Sequence, residues 1–403
     1  MTLEPRNGYF DRLIGACIAL TLWGVSAFAE PPRYIYRELP IPDDQTIFPI
    51  IRGGFAPMML LNGRGDAVAH TYWPWPDPVD GHQHRYPILW TNGQPHPFFE
   101  SSAIISDLND KGNVSGGRTG SDDYNRGFVS NGVKLTDLTC PPSNDGFRSY
   151  ATIKAMNNPG VVVGSCNFQS VVWAGESIAF IYGSQAIDVT DEGNILGYNS
   201  KPFYPTNFLL NGTNIILFGG PSELAVALGD DDFVIGFSKG DSPVGIGWDN
   251  GVRREFPRLP RSDQVYLADL WDANEVVGHC YRHVPPDPPY DHRATIWLNG
   301  LAYELQSISA KPDNTLFFHA WGINRHGHII TEGYISSGPN QAFLRQTIGL
   351  LLRIESILAF EFFAPCVAGP SVDAAGGDCE AFDRNLDGAV DLRDYAAIQN
   401  NFR

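Results

Sequence analysis

The residues with the clearest chemistry lie near the C-terminus. Asp383, Asn385, Asp387, Ala389, Asp391 and Asp394 stand at positions 1, 3, 5, 7, 9 and 12 of one run, with Gly388 at position 6. A calcium loop needs side-chain oxygens at its first three odd positions, a backbone carbonyl at the seventh and a glycine for the sharp turn. The six residues named therefore form a candidate calcium site. Residues 373–403 hold seven acids against three arginines, so this run repels itself unless a cation is bound. Tyr395, Ile398 and Phe402 follow at helical spacing, which predicts a helix directly after the loop.

Histidines form the next group that could do chemistry. They fall at His82, His84 and His96, at His279, His283 and His292, and at His319, His326 and His328. His82 with His84, and His326 with His328, could each present two imidazoles on one strand face, as zinc or copper requires. No spacing matches a known ligand pattern, so the simpler expectation is histidines in surface loops beside proline-rich insertions such as residues 73–78. In that insertion Tyr72, Trp73 and Trp75 could stack on sugar rings. Nucleophile-elbow, zincin and phosphate-loop motifs are all missing, so no reaction is indicated.

The chain that must position these groups has 403 residues, a net charge of −17, 42 glycines, 30 prolines and only 18% charged residues. The negative balance argues against nucleic acid and against an anionic membrane surface. Arg6 and Arg12 precede an apolar run from Leu13 to Val25, and Ala27-Phe28-Ala29 ends in a small-x-small site. This is the pattern of an export signal cleaved after Ala29, and the run is too short to span a bilayer. Export permits disulfides. Cys366 with Cys379 is the first candidate pair, Cys140 with Cys166 a second, and Cys280 is left as a buried small hydrophobe.

The middle of the chain repeats. A polar turn, β-branched residues and a small residue recur, with one turn position held by Gly65, Gly112, Gly160, Gly193, Asp232, Asn274 and Gly327. The intervals average about 44 residues, the range of a propeller blade. These positions are expected to take positive φ, with Asp232 and Asn274 as tolerated substitutes. Between the copies lies a second phrase, an apolar run closed by a hairpin turn, as in Ile88 to Gly93, Ile246 to Gly251 and Ile296 to Gly300. Each unit thus reads as four short antiparallel strands. The fold class expected is all-β: a seven-bladed β-propeller, with a small α-helical calcium module after it. An open solenoid or sandwich array is the alternative. Ring closure requires a seam, which is assigned to Tyr34–Tyr36 or a stretch up to Ile51 pairing with the seventh unit, Trp321 to Arg353.

The paired phrases, roughly residues 52–348, resemble the HAF repeat family of extracellular bacterial proteins. The nearest copies are Ala155 to Gly164 and Ala294 to Gly300. The C-terminal loop and helix resemble one half of a type I dockerin, an EF-hand-like fold, as found in tails of exported planctomycete-type proteins. Loop positions ten and eleven are Leu392 and Arg393, where dockerins carry small hydroxyls that meet cohesin. The resemblance thus implies calcium-stabilised folding first and a cohesin-like partner second.

The expected organisation is a signal peptide at 1–29, a propeller at 30–353 and a dockerin-like calcium-binding module at 354–403. The expected function is an exported, monomeric, non-catalytic binding or cell-surface protein that grips a glycan or another surface protein. The alternative is a polysaccharide-active hydrolase or lyase with a dockerin-like appendage. Acids converging at the ring's mouth would favour the enzyme, whereas aliphatics and amides there would favour the binding protein.

Overall fold

The computed structural model describes residues 31–40, 59–72, 85–97, 103–119, 125–141, 150–167, 169–175, 177–181, 185–199, 206–240, 242–282, 291–337 and 343–354. Contacts divide the chain at Pro32 into a short N-terminal unit and a larger one that starts at Arg33. The strands of the larger unit form seven sheets. Blade one is Met59–Leu61, Ala67–Tyr72, Arg85–Thr91 and Gln94–Pro97. Blades two to six repeat that order, innermost strand first, and their innermost strands are Ile104–Leu108, Ala151–Met156, Gln185–Val189, Glu223–Leu228 and Gln264–Asp272. Blade seven is Thr315–Ile323, Ile329–Ser337 and Phe343–Arg353. The protein is an all-β, seven-bladed propeller. The one helix among the described residues is the single turn Leu305–Ile308, and none there is long and apolar enough to cross a membrane.

The ring closes where the alternation of Tyr34–Tyr36 placed the seam. Tyr34–Glu38 is the outer strand of blade seven, antiparallel to Phe343–Arg353 with Tyr34 opposite Arg353 and Glu38 opposite Gly349. Tyr36 Oη and Thr347 Oγ1 share a 2.7 Å hydrogen bond across this seam. On its far side the strand also pairs in parallel with Ser309–Ala310.

Hydrophobic burial holds the blades to one another, because a single four-stranded sheet cannot cover both its faces. Blades one and two share a core around Ile105, Val114 and Phe128. Blades seven and one share Met59, Ile88, Trp90, Ile330 and Ile348, so the stack runs full circle and does not end as an open solenoid. The tryptophans of the second phrase, Trp90, Trp173, Trp248 and Trp297, are buried in these interfaces. Trp90 and Trp297 also donate their indole N–H to the carbonyls of Pro40 and Pro257, both at 2.7 Å.

The turn phrase proves to be a belt between blades. Asn109 Oδ1 accepts the N–H of Lys111 (3.1 Å) and Asn113 (2.9 Å), folding its own turn. Its Nδ2 donates to the carbonyl of Asn157 in the next blade, 3.2 Å away. Asn62 reaches Asn109, Asn157 reaches Thr190 and Asn324 reaches Asn62 in the same way, each at 2.9 Å. At the recurrent turn position Gly65, Gly112, Gly160, Gly193 and Gly327 take positive φ, and Asp232 does so at 61°. Asn274 does not. Its turn is a two-residue connection between the paired Asp272 and Glu275, and Asp272 Oδ1 accepts the N–H groups of Asn274 and Glu275. Three Asn-Gly pairs, at 92–93, 250–251 and 299–300, have both residues at positive φ, as the hairpin reading requires.

Candidate functional site

A bulge in the innermost strand builds the axial cavity. In blades two to six the pairing skips a residue at Ser106, Lys154, Ile187, Val226 and Ala268, and in blade seven at Trp321; second shifts in blades six and seven also skip Trp271 and Phe318. A bulge leaves one residue unpaired and bends the strand, which re-aims that side chain. Ser106, Lys154, Ile187, Val226, Ala268 and Trp321 line one cavity of about 610 Å³, together with Met59 of blade one. In blades two to six the glycine that closes the turn phrase leaves room for the bulge, whereas blade seven bulges with Thr331 at that place. A Cβ on Gly116, Gly164, Gly236 or Gly278 would lie within 3 Å of a carbonyl oxygen on the bulged strand. Blade one has Ala69 at the corresponding place, and its register there runs without a shift.

Three aspartates adjoin this ring, from alternate blades. Asp107, Asp188 and Asp269 directly follow the skipped residues of blades two, four and six, and all line the cavity. Each carboxylate is a clasp. One oxygen accepts the next residue's N–H, at Leu108, Val189 and Leu270, all at 2.8 Å. The other accepts an N–H from the neighbouring blade: Met156 at 2.6 Å, Leu228 at 2.8 Å and Ile323 at 3.0 Å. The blades are therefore latched as pairs two–three, four–five and six–seven. Burial pushes Asp107 and Asp269 up to about 7 and Asp188 up to about 6, outweighing the N–H donors that favour the charged form. Burial also lowers the Lys154 ammonium from its ordinary value. Tyr198, Gln185, Asn207, Lys239 and a fourth acid, Glu223, complete the polar part of the lining, while Leu60, Leu61, Leu224 and several alanines give it an apolar body.

Beside the cavity, blades six and seven bring together His279, His292 and His319. One ring nitrogen of each lies within 4.8 Å of the others. His279 and His292 sit on the paired strands Glu275–Arg282 and Asp291–Leu298, and His319 is on the innermost strand of blade seven. His319 Nδ1 faces Glu332 Oε2 at 3.0 Å and its Nε2 faces His292 Nδ1 at 3.1 Å. The same Glu332 oxygen accepts the indole N–H of Trp321 at 3.1 Å, tying the group to the cavity wall. Tyr266 stacks on His279, with ring centroids 5.1 Å apart. Burial holds His279 well below the usual histidine range and brings His292 down to about 4, the neighbouring imidazoles adding to both effects.

These three histidines correct the surface-loop expectation, since they stand in strands. His96 also lies in a strand, Gln94–Pro97. His326 and His328 flank the turn of blade seven with ring centroids 5.9 Å apart, and His328 Nδ1 accepts the Arg353 N–H at 3.2 Å. Cys140 and Cys166 form a disulfide, and Cys280 is free and buried. The calcium-loop residues Asp383, Asn385, Asp387, Ala389, Asp391 and Asp394 lie outside the described residues, as do the signal segment, Cys366, Cys379, Trp73, Trp75, His82, His84 and His283.

Sequence reasoning missed the axial ring, although a signal was present. Met59, Ser106, Lys154, Ile187, Val226 and Trp321 each stand three residues before the first residue of a turn phrase, and Ala268 stands three before Trp271. Their chemical variety hid the shared position.

No family model and no curated protein matches the chain. Similar solved structures include the β-propeller domain of the Trilobed protease from Pyrococcus furiosus, 10% identical, covering 74% of this chain and 94% of that one at a TM-score of 0.46. Others are the WD40 domain of SCAP from fission yeast (11% identity, 81% and 99% coverage, TM-score 0.40) and the polysaccharide lyase Uly1 (9%, 81% and 98%, 0.40).

Proposed function

We propose that this chain is an exported binding protein that seats an extracellular glycan at the axial cavity. One observation carries the reading: the three aspartates that converge there have both oxygens taken by backbone N–H groups, and the fourth acid, Glu223, is held by Arg253 at 2.7 Å and by the Gly220 N–H at 2.8 Å. A carboxylate held in that way fastens blades and is poorly placed to exchange protons with a substrate. The skipped residues around it, Ile187, Val226 and Ala268 among them, offer apolar contact. Trp321 and Tyr198 add aromatic surface, and Gln185 and Asn207 add amides, the combination that suits a sugar ring.

In the same reading residues 1–29 direct export, and residues 354–403 form a dockerin-like module ordered by calcium at Asp383, Asn385, Asp387, Ala389, Asp391 and Asp394. That module is the place for a cohesin-like partner. The HAF-repeat, dockerin and planctomycete-type likenesses rest on the residue patterns. The protein works as a monomer, with a surface protein as the alternative ligand and no role in nucleic-acid binding.

The competing reading is a polysaccharide-active hydrolase or lyase. The observation that favours it is the position of Asp107, Asp188 and Asp269 near 6 to 7, where a general acid operates. A polysaccharide pull-down in millimolar calcium, with the supernatant assayed for released sugars, separates the two. Retention without products, abolished by Trp321→Ala, is the expected result. Released products would establish the enzyme, and absence of retention across acidic, neutral and basic polysaccharides would end the glycan reading.

A further inference from the structure

We infer that His279, His292 and His319 form a binding site for a zinc-class divalent metal ion at the interface of blades six and seven. The inference is independent of the glycan reading.

The donor set has the right chemistry and spacing. Zinc is held by imidazole nitrogens at about 2.0–2.1 Å, which places neighbouring ligand atoms of a tetrahedron about 3.4 Å apart. His319 Nε2 and His292 Nδ1 are already 3.1 Å apart. Taking one ring nitrogen from each of the three histidines, all lie within 4.8 Å of one another, so closing the site takes a shift of about 1.4 Å, within reach of a side-chain rotation. Two imidazole nitrogens facing each other at that distance need either a proton or a cation between them. His279 Nδ1 is buried and has no hydrogen-bond partner among the described residues. A buried polar atom left in that state costs free energy unless something absent from the chain satisfies it.

The surroundings are those of a metal histidine. Glu332 is buried, and its Oε2 faces His319 Nδ1 at 3.0 Å. That contact places the proton on Nδ1 and leaves Nε2 as the basic lone pair, the carboxylate–histidine–metal arrangement. Trp321 Nε1–H holds the same carboxylate oxygen from the other side. All five side chains come from strands of two blades that also share a core around Val277, Ile296, Phe317 and Ala320. The ligands are therefore carried on rigid elements rather than on loops. Three protein nitrogens leave a fourth position for water or for an anionic group of a bound molecule.

The test uses the full chain, stripped with chelator, loaded with zinc and dialysed. The expected result is one zinc retained per chain. His292→Ala and His319→Ala each weaken retention by about 100-fold, while Glu332→Gln weakens it by roughly 10- to 100-fold through His319 alone. A His326→Ala/His328→Ala double variant retains zinc as the parent does. Copper(II) loaded into the parent chain gives a check that needs no variant: its electron paramagnetic resonance spectrum should carry hyperfine splitting from three imidazole nitrogens. Failure of the parent chain to retain zinc, equal retention by the His292 and His319 variants, or loss only in the His326/His328 variant would each overturn the inference. So would a copper spectrum dominated by oxygen ligands.

Discussion

Replacing Asp188 by asparagine should alter how stability depends on pH more than it alters stability itself. Asp188 is buried at the axial cavity with its carboxylate on the N–H groups of Val189 and Leu228, and burial raises it from 3.8 to about 6. A folded-state value above the unfolded one means that the native protein holds the proton more tightly. The ionised group thus costs stability above about pH 6, and the cost disappears as pH falls toward 4. The shift is worth about 3 kcal/mol. Asparagine removes the charge but has only one acceptor oxygen for two N–H groups, a loss of about 1–3 kcal/mol at every pH. At pH 8 the two effects nearly cancel, so the variant should match the parent. At pH 4 it should be clearly less stable. Buried His279, His292 and His328 work in the opposite sense, since their lowered folded values make their contribution fade as pH falls below about 6.5. They are common to both proteins and drop out of the difference. Urea titrations from pH 4 to pH 8, compared at equal slope, give that difference directly. A variant whose profile runs parallel to the parent, offset by a constant, would refute the account of Asp188 as a buried ionised clasp.

Other outcomes follow from the same architecture. Asn109→Ala should cost about 1–3 kcal/mol in chemical denaturation, because the Lys111 and Asn113 N–H groups and the Asn157 carbonyl lose their partner together. Gly278→Ala should destabilise more than Asn109→Ala, since the new methyl meets the Tyr266 carbonyl and the bulge must shift to admit it; a melting temperature within a degree of the parent would contradict this. Deleting residues 30–45 removes the outer strand of blade seven and should lower the melting temperature far more than a loop deletion of equal length. Calcium should order the C-terminal segment, and Asp387→Ala should abolish that response in circular dichroism while leaving the propeller's melting unchanged.

The metal inference and the clasp share one physical origin. Both depend on the innermost strands, where the backbone leaves regular pairing. At the blade seven bulges the register shifts between Phe317 and His319 and again between Ala320 and Gly322, and the His319 and Trp321 rings lie side by side with centroids 5.2 Å apart, both on Glu332 Oε2. His319 meets the histidines of blade six, and Trp321 reaches both Glu332 and the cavity.

Periodicity in the chain pointed to seven blades of four antiparallel strands, with an open solenoid or sandwich array as the alternative, and strand alternation offered Tyr34–Tyr36 or a stretch up to Ile51 for the seam. These features repeat, and short-range physics governs them: Asn-Gly favours a hairpin, and β-branched runs favour a strand wherever they occur. The glycine that closes the turn phrase in blades two to six was equally visible, but its reason was not, because that reason is a carbonyl on the neighbouring strand. The Cys140–Cys166 pair was one of two candidates on spacing, and the fold brought its Cα atoms to 5.7 Å. The functional groups belong to tertiary structure alone. Asp107, Asp188 and Asp269 are 81 residues apart at each step and each stands two residues before a turn phrase, but what makes them clasps is an N–H from the neighbouring blade. His279, His292 and His319 follow no ligand spacing, since two paired strands and the next blade supply them. A ring of blades juxtaposes positions by rotation about an axis, so which side chains meet depends on the closure of the whole ring and not on any segment of the chain.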